Sequence, residues 1–296
     1  MSRALIDVLL EQGVDTVFGY PGSAVLDIYD ELYKCDKIRH ILTCHEQAAA
    51  HAADGYARAT GRTGVVIATS GPGATNLVTG IAAAYMDSSP VVAITGNVKT
   101  SLLGSDSFQE VDIAGVTMPV TKYSFIASGE RGVAQDVREA FSIAQSGRKG
   151  PVLVDIPADI AAQSEEYERA PKSEPARAKE PEEAQLARAA QMIAKAKRPL
   201  IYVGGGAISS GASEALGAFA KKLQIPVACS MMGLGAYPCS AKLFLGLVGM
   251  HGNPVANIAA LNCDLLIAAG ARFSNRVAAS KESFAPKAQI IHIDID

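Results

Sequence analysis

Short apolar runs rich in valine and isoleucine alternate along this chain with stretches of helical periodicity. In the N-terminal half, the predicted strands are Thr16–Gly19, Arg39–Thr43, Val65–Thr69, Val91–Thr95 and Val152–Ile156. The predicted helices there are Ser2–Gln12, Ala24–Lys34, Glu46–Thr60, Ala74–Tyr85 and Gly132–Gln145. This alternation is typical of βαβ units, which build a parallel sheet covered by helices on both faces. We therefore predict an α/β fold made of parallel-sheet, three-layer α/β/α domains.

A charged, proline-rich stretch interrupts the pattern at residues 163–183 and predicts a solvated linker. We expect a first domain at residues 1–162 and a second at residues 184–296. In the second domain, the predicted elements are helices Ala184–Ala196 and Ser213–Leu223, strands Leu200–Val203, Val227–Ser230, Leu265–Ala268 and Ile290–Ile295, and a tight glycine loop at Gly204–Gly206. Because the sequence stops on a predicted strand with no covering helix, we expect this domain to be incomplete at its C-terminus.

Charge and composition argue against several classes of protein. The net charge is −3 and no basic run occurs, which disfavours a nucleic-acid partner. No apolar run approaches the ~20 residues of a membrane span, and the N-terminus lacks the basic start and cleavage site of a signal peptide. The five cysteines are odd in number and form no CxxC pair, so we expect reduced thiols in a cytoplasmic protein.

Glu46 is a single carboxylate at the start of an alanine-rich predicted helix. The four residues from Thr43 to Glu46 fit the capping box S/T-x-x-E, in which the glutamate bonds back to the N-cap amide. The alternative is a functional carboxylate, because the alanines between Ala48 and Ala53 leave a slim face that a flat ligand can approach. Taken alone, these residues favour the capping role.

Two further segments of the first domain carry candidate site residues. The turn Gly71–Gly73 follows strand Val65–Thr69, and ligands of open parallel sheets bind beside such turns. The alternative is a tight β–α turn without a ligand. A later polar segment contains Phe108, Gln109 and Lys122, and it is equally typical of a surface loop with one buried phenylalanine.

Glycine turns also follow strands in the second domain, at Gly204–Gly206, Met231–Gly235, Gly249–Gly252 and Gly270–Phe273. Turns of this kind that converge on one sheet edge favour an extended ligand with phosphates, such as a dinucleotide. Arg272 and Arg276 are candidate phosphate ligands, and Asp294 and Asp296 are candidates for ribose hydroxyls. The pattern is not G-x-G-x-x-G, so it is a weak signal by itself.

Several segments resemble a single family. They are GYPGSAVLDIYDEL, HEQAAAHAADGYARATG, TSGPGATNLVTGIAAAYMDSSPVVAITG, DSFQEVDIAGVTMPVTK, SGRKGPVLVDIP, GMHGNPVAN and GARFSNRV, and they run over almost the whole chain. In these segments the chain resembles the thiamine-diphosphate-dependent enzymes of the acetohydroxyacid synthase (acetolactate synthase) group, catalytic subunit. HEQ and SGPGATN are the motifs most specific for the superfamily, and DSFQE and GMHG favour the synthase branch.

The resemblance implies a thiamine-diphosphate pyrimidine-binding fold followed by a Rossmann-like, FAD-binding-type central domain. The third domain of such enzymes binds the diphosphate and Mg²⁺ through a GDG…N segment that this sequence lacks. We therefore expect no metal ligand here and no activity from residues 1–296 alone. The implied reaction is decarboxylation of pyruvate and carboligation to a second 2-oxoacid, giving 2-acetolactate or 2-aceto-2-hydroxybutyrate in branched-chain amino-acid biosynthesis. The implied partners are pyruvate and 2-oxobutyrate as substrates, further copies of the chain in a homodimer or higher oligomer, and a regulatory small subunit.

The resemblance also assigns roles to residues. Glu46 hydrogen-bonds N1′ of the aminopyrimidine and favours the imino tautomer that takes the proton from thiazolium C2. The residues assigned to thiamine diphosphate are Gly22, Glu46, Gly71, Pro72 and Gln109, and those assigned to the substrate are Phe108, Gln109 and Lys122. The residues assigned to FAD are Arg148, Gly204, Gly205, Gly206, Met250, His251, Gly252, Arg272, Arg276, Asp294 and Asp296.

The chain departs from the family pattern at three places. Ser23 replaces the second glycine of YPGG, the segment Gly96–Lys99 reads GNVK where GQVP is frequent, and Ser274 and Asn275 replace two acids near FAD. These changes leave fold and cofactor class intact and leave FAD affinity and substrate choice open. Two alternatives remain: another thiamine enzyme of this architecture, such as a pyruvate oxidase or sulfoacetaldehyde acetyltransferase, or a non-catalytic dimerising or FAD-binding module.

Overall fold

A computed structural model of the chain describes residues 1–164, 166–172, 179–277 and 284–296. The chain forms two compact units, residues 1–177 and residues 178–296. Each unit has its own parallel sheet and its own buried core. The two-domain α/β fold predicted from the alternating sequence pattern is therefore confirmed, while the domain boundaries stay a prediction.

The first unit contains a six-stranded parallel sheet. Its strands in chain order, β1 to β6, are Thr16–Tyr20, Arg39–Leu42, Gly64–Ala68, Val91–Asn97, Tyr123–Ile126 and Val152–Pro157. Their spatial order is β2-β1-β3-β4-β6-β5, and each neighbouring pair is parallel. The strand order reverses direction between β1 and β3, which is the topological switch point where open α/β sheets bind ligands.

Helices cover both faces of this first sheet. In chain order, α1 to α8 are Ser2–Glu11, Leu26–Tyr33, Glu46–Thr60, Pro72–Asn76, Val78–Met86, Ile113–Thr117, Val133–Gln145 and Ala158–Ala161. Helices α1, α2 and α7 share one apolar cluster with the sheet, and α3 to α6 share the cluster on its other face. Strands β3 and β4 are buried throughout, which explains why both appear in the sequence as continuous apolar runs.

The second unit contains a five-stranded parallel sheet. Its elements in chain order are α9 Glu183–Lys195, β7 Pro199–Val203, α10 Gly205–Ser209, α11 Ser213–Leu223, β8 Val227–Cys229, β9 Phe244–Leu247, α12 Pro254–Asn262, β10 Leu265–Ala269 and β11 Gln289–Ile293. The spatial order is β11-β10-β7-β8-β9, with every pair parallel. The order of strands runs outward in both directions from β7, as in dinucleotide-binding folds, with the switch point between β7 and β10.

Several elements differ from the sequence predictions. Strands β5 and β9 were not predicted, because both are edge strands whose residues are partly or fully exposed and so lack a continuous apolar run. The predicted helix Ala74–Tyr85 is two helices, α4 and α5, that meet at Leu77. The glycine triplet at 204–206 is not a tight loop, since Gly205 already begins α10.

Residues 166–172 of the predicted linker at residues 163–183 are mostly exposed, and they also contact the first unit. There, Tyr167 Oη donates to the Glu11 carboxylate on α1, and the Ala170 amide donates to Glu11 Oε1 over 2.9 Å. Arg138 on α7 donates to the Glu168 carbonyl over 2.6 Å. One aromatic residue and one buried carboxylate thus attach a segment whose composition is typical of solvent-exposed chain. Residues 165 and 173–178 of the predicted linker lie outside the described part of the chain.

Candidate active site

The loop after β1 and the end of β3 meet at the switch point of the first sheet. The Ala24 amide donates to Thr69 Oγ1 over 3.2 Å. A Cβ atom at Gly22 would lie 2.5 Å from Cβ of Thr69 and another at Gly73 would lie 2.7 Å from Thr69 Cγ2. Only glycine therefore allows these two turns to close on Thr69, and the cofactor role of Gly22 stays a prediction.

Glu46 opens α3 without acting as its cap. The N-cap is His45, whose Nδ1 accepts from the Gln47 amide over 3.1 Å, while Thr43 Oγ1 donates to the His45 carbonyl over 3.0 Å. The capping-box interpretation of Thr43 and Glu46 is therefore wrong, because the helix starts too late for Glu46 to be its third residue. The carboxylate is half-buried in the first turn, where the helix dipole favours negative charge.

A side chain from α4 holds one oxygen of this carboxylate. Asn76 Nδ2 donates to Glu46 Oε2 over 2.9 Å. Within the part of the chain that the structure describes, Glu46 Oε1 has no hydrogen-bond partner, and it lies 3.4 Å from where a Cβ atom of Gly73 would be. The switch point thus presents one carboxylate oxygen without a partner among the described residues, beside the glycine turn at Gly73.

The alanines that follow Glu46 serve packing instead of ligand access. Ala49, Ala50 and Ala53 are fully buried in the core between the sheet and α5. A Cβ atom at Gly80 of α5 would lie 2.4 Å from Cβ of Ala50, so the two helices are in close contact. The small side chains let α3 approach the sheet and its neighbour, and the expectation that they form a ligand-facing surface is wrong for these three.

Gln109 reaches the switch point through its backbone. Gly71 has φ +58°, and a Cβ atom there would lie 2.7 Å from the Gln109 carbonyl oxygen. Gln109 itself has φ +59°, a conformation that costs a non-glycine residue about 1–3 kcal/mol and that clusters at functional sites. Phe108 beside it is 87% exposed, so the alternative of a loop with one buried phenylalanine is wrong.

The acidic side chain of Glu110 holds this loop in place. Its carboxylate accepts from the Ser107 amide over 2.9 Å and from the Gly104 amide. These backbone hydrogen bonds lower the pKa of Glu110, so the loop is closed by a charged group at neutral pH. At its far end, Asp112 caps α6 by accepting from the Gly115 amide over 2.9 Å. The strained conformation of Gln109 is therefore supported on both sides.

Lys122 and Arg148 lie at the end of the first sheet where its strands begin, opposite to the end that carries Glu46. Lys122 precedes β5, and its Nζ donates to the carbonyls of Ile143 and Ser146 at the end of α7, where burial lowers its pKa. Arg148 precedes β6 and donates to Ser88 Oγ over 2.9 Å. Parallel strands begin at this edge and end at the edge of Glu46, so neither cation belongs to the same site as Glu46 within one chain. A substrate contact of Lys122 and an FAD contact of Arg148 stay predictions.

Tyr29 interacts electrostatically with Glu46 and is paired with His40. Tyr29 Oη lies 3.2 Å from His40 Nε2 and 3.4 Å from the Ile67 carbonyl. Burial, and secondarily the charge of Glu46, raises the pKa of Tyr29, and burial lowers the pKa of His40. Both shifts favour the uncharged side chain, so neither group neutralises Glu46.

Asp155 is a buried acid next to the same edge of the sheet. It accepts from Thr95 Oγ1 over 2.6 Å and from Asn97 Nδ2. Burial raises its pKa to about 6, although both hydrogen bonds oppose the shift. Asn97 Oδ1 accepts from the Val98 amide over 2.8 Å. Asn97, where the family often has glutamine, thus fixes the direction in which the chain leaves β4.

Glycine turns converge at the switch point of the second sheet. A Cβ atom at Gly204 would lie 2.2 Å from the Gly270 carbonyl oxygen, and one at Gly206 would lie 2.7 Å from Cα of Gly270. A Cβ atom at Gly233 would lie 2.3 Å from the Val203 carbonyl oxygen. The turns after β7, β8 and β10 thus pack backbone against backbone, which leaves a thin edge with few side chains.

Other residues predicted for FAD lie in the segments that follow the strands of the second sheet. The Met250 amide donates to the Arg276 carbonyl over 2.8 Å, which joins the turn after β9 to the segment after β10. Asp294 follows β11, and its Oδ2 lies 3.5 Å from His292 Nε2. The remaining predicted residues, His251, Gly252, Arg272 and Asp296, lie in these same segments beyond the strand ends.

Comparison with known proteins identifies the family. Residues 1–116 match the thiamine pyrophosphate enzyme N-terminal TPP binding domain, and residues 186–296 match the thiamine pyrophosphate enzyme central domain. The chain belongs to the thiamine pyrophosphate enzymes. The first sheet with Glu46 is thus the sheet of the N-terminal TPP binding domain, and the second sheet lies in the central domain.

Curated relatives cover the whole of this thiamine pyrophosphate enzyme chain. It is 51% identical over 303 residues to the probable acetolactate synthase large subunit of Methanocaldococcus jannaschii, covering 51% of that protein. It is 48% identical to the acetolactate synthase isozyme 3 large subunit of Escherichia coli, covering 52% of it. It is 50% identical to the acetolactate synthase large subunit of Corynebacterium glutamicum, covering 48% of it. The chain spans about half the length of the curated relatives it matches.

Two absences concern only the residues that the structure describes. Among residues 1–164, 166–172, 179–277 and 284–296, no group of three or more histidine, cysteine, aspartate or glutamate side chains is arranged to hold a metal ion. In those same ranges, no helix combines the length and the apolar character needed to cross a membrane. The five cysteines are free thiols.

Sequence reasoning about this thiamine pyrophosphate enzyme missed two residues of the site. Thr69, on which two glycine turns close, and Asn76, which holds Glu46, both lie in the segment TSGPGATN. A signal for Asn76 was available, because its side-chain amide lies only three residues after the glycine turn that the sequence offered as a candidate site. What the sequence lacked was the contact with Glu46, 30 positions earlier in the chain.

Proposed function

We propose that this chain supplies the aminopyrimidine side of the thiamine diphosphate site in an acetolactate synthase large subunit. The observation that carries the proposal is Glu46, with Oε2 held by Asn76 and Oε1 free at the switch point between β1 and β3. The proposed reaction joins pyruvate, after decarboxylation, to a second pyruvate or to 2-oxobutyrate. The relatives named as acetolactate synthase large subunits support this choice over a pyruvate oxidase or a sulfoacetaldehyde acetyltransferase.

The residues present fit the pyrimidine end of the cofactor. Glu46 Oε1 would accept a hydrogen bond from N1′, and the glycine turn at Gly71 to Gly73 lies beside this oxygen. When bound, thiamine diphosphate supplies a nucleophilic carbon and an electron sink for decarboxylation. Glu46 would hold the proton at N1′. Tyr29 is neutral and therefore does not compensate the negative charge of Glu46. Gly22, Pro72 and Gln109 are proposed to line the ring.

The wider setting of this site is also part of the proposal. Mg²⁺ accompanies the diphosphate, since it binds phosphate oxygens with few protein ligands. The chain assembles as a homodimer or higher homo-oligomer, and a regulatory small subunit is its partner, as the name "large subunit" of the relatives suggests. Its proposed location is the cytoplasm.

The reaction is tested by a colour assay on the natural protein at its full length, since no activity is expected from residues 1–296 alone. With pyruvate, thiamine diphosphate and Mg²⁺, we expect acetolactate, detected as acetoin after acid decarboxylation, and no product when the cofactor is omitted. Adding 2-oxobutyrate should divert part of the product to 2-aceto-2-hydroxybutyrate. Oxygen consumption without acetolactate would favour the pyruvate oxidase alternative, and cofactor-dependent turnover of sulfoacetaldehyde would favour the acetyltransferase.

We further propose that the second unit binds FAD across its switch point. The thin glycine edge formed by Gly204, Gly206 and Gly270 supports this, because a dinucleotide lies close to the backbone at the switch point of such a sheet. Arg276 is exposed and lies in the segment that contacts Met250, so its guanidinium is available to a phosphate.

Replacing Arg276 with alanine should weaken FAD binding by about tenfold or more, the loss expected for a charge-assisted hydrogen bond to phosphate. The measurement is quenching of FAD fluorescence on titration into flavin-free protein. Lys221→Ala, which removes a basic side chain from the exposed end of α11, is the matched control and should leave the affinity unchanged. Equal affinities in both variants would contradict a phosphate contact of Arg276.

A further inference from the structure

The contact between Asn76 and Glu46 joins two helices at the candidate active site. Asn76 is the last residue of α4, and Glu46 is the first residue of α3. Their side chains meet at 2.9 Å, from Nδ2 to Oε2, in a half-buried position. Helix α4 is itself fixed by Gly71 at its start and by Ala74 in the core, so the amide is a rigid donor.

The amide holds Glu46 without neutralising it. In the described part of the chain, Glu46 takes part in no ion pair, so its oriented partner is an uncharged group. A hydrogen bond from a neutral donor stabilises a carboxylate moderately, whereas an arginine would form a bidentate pair that occupies both oxygens. The amide therefore occupies Oε2 and leaves Oε1 as the acceptor toward Gly73.

We propose that Asn76 is the positioning residue of Glu46, and that it selects which carboxylate oxygen meets the aminopyrimidine of thiamine diphosphate. It does not touch the reacting atoms. It prevents the side chain of Glu46 from rotating away from the cleft and keeps its second oxygen hydrogen-bonded. The inference rests on the proposed function of Glu46, and it adds a residue to which the comparisons assign no role.

A double-mutant cycle tests whether Asn76 acts through Glu46. In the natural protein, Asn76→Ala should lower kcat about 10- to 100-fold and leave the KM for pyruvate within about threefold, as expected for losing one hydrogen bond to a charged group. In the Glu46→Gln background, the same change should cost less than about twofold. Thr79→Ala, near the start of α5 with an exposed side chain, is the matched control and should behave like the unchanged protein. Equal losses from Asn76→Ala in both backgrounds would mean that Asn76 only supports the fold.

Asn76→Asp provides a second test, because a purely structural role of Asn76 would not change the pH dependence of activity. Asn76→Asp faces Glu46 with a second carboxylate, and two such groups share one proton. Activity should be lower than in Asn76→Ala at pH 8 and recover at least about tenfold toward pH 6, since the introduced carboxyl group, once protonated, would again donate to Glu46. Tyr29, the other described titratable group that interacts with Glu46, stays neutral over this range because its pKa is raised. A pH profile identical to that of the unchanged protein overturns the proposal.

Cofactor binding separates failure of this inference from failure of the proposed function. Calorimetric titration with thiamine diphosphate and Mg²⁺ needs no turnover. Binding that is weakened in Asn76→Ala but not in Thr79→Ala, with no further loss on top of Glu46→Gln, supports the positioning role even if the reaction is another one of the family. Cofactor affinity unaffected by Glu46→Gln would instead contradict the proposed function, and the positioning role with it.

Discussion

Glu46→Gln should lower turnover by about 10²- to 10⁴-fold, the range typical of losing a group that holds or transfers a proton. Glutamine has nearly the same shape and still accepts from Asn76, so the loss comes from the missing charge at Oε1. The fold should be unaffected, because His45 and not Glu46 caps helix α3. Half-burial of the side chain also keeps the energetic cost to the fold small.

The measurement combines kcat with the midpoint of urea unfolding in the thiamine-diphosphate-loaded protein. Asp27→Asn is the matched control, since Asp27 is an exposed acid in the first turn of α2 just as Glu46 is in the first turn of α3. Both substitutions remove a favourable interaction with a helix dipole worth about 0.3–1 kcal/mol. Only Glu46→Gln should affect turnover. If it retains most of the activity, Glu46 serves the helix and not the reaction.

Much of the first sheet is predictable because buried parallel strands leave a strong sequence pattern. Strands β3 and β4 contain the apolar runs Val65–Ala68 and Val91–Ile94, and helix α3 was predicted with the bounds observed, Glu46–Thr60. Gly61 ends α3 with φ +71°, as expected of a glycine just past a helix. Local rules succeed here because each element satisfies its own backbone and apolar face.

The parts that failed depend on contacts between distant residues. The capping box at Thr43 fits a local rule, yet His45 caps the helix, because a side-chain nitrogen next to the helix start offers an equally good acceptor. The strands at 123–126 and 244–247 gain their hydrogen bonds from neighbours in the sheet and not from an apolar run. The Asn76 contact needs α4 and α3 to meet at the switch point.

In the candidate site, too, local sequence rules predict the turns but not the contacts between distant residues. The glycines at positions 22, 71 and 73 indicate turns in the sequence. The structure shows why glycine is needed there, because Thr69 and Gln109 occupy the space that a side chain would take. Lys122 is a candidate substrate contact by residue type, and its Nζ donates to carbonyls at the end of α7. Residue type predicts what a side chain is able to do, whereas its neighbours decide whether it is available.

Glu11→Gln should destabilise the first unit by about 3 kcal/mol at pH 7. The Glu11 side chain is 1% exposed and receives hydrogen bonds from Arg138 over 2.9 and 3.0 Å, from Tyr167, and from the Ala170 amide. Burial favours protonation, yet these hydrogen bonds outweigh it and lower the pKa from 4.5 to about 2. A shift of that size corresponds to about 3 kcal/mol at roughly 1.36 kcal/mol per unit. Arg138 stays partly exposed, so its unpaired charge reaches water.

The pH dependence of this effect has a defined sign. Because the folded-state pKa lies below the unfolded one, the charged Glu11 contributes its full stability above about pH 4.5 and loses it as the pH falls toward 2. Urea unfolding should therefore give a difference between the two proteins that shrinks to less than half at about pH 3. Glu139→Gln on the same helix as Arg138 removes a more exposed partner of Arg131 and should cost under about 1 kcal/mol. A Glu11 effect as small as that of Glu139, or one that persists unchanged at low pH, would show that segment 166–172 is not held by the Glu11 charge.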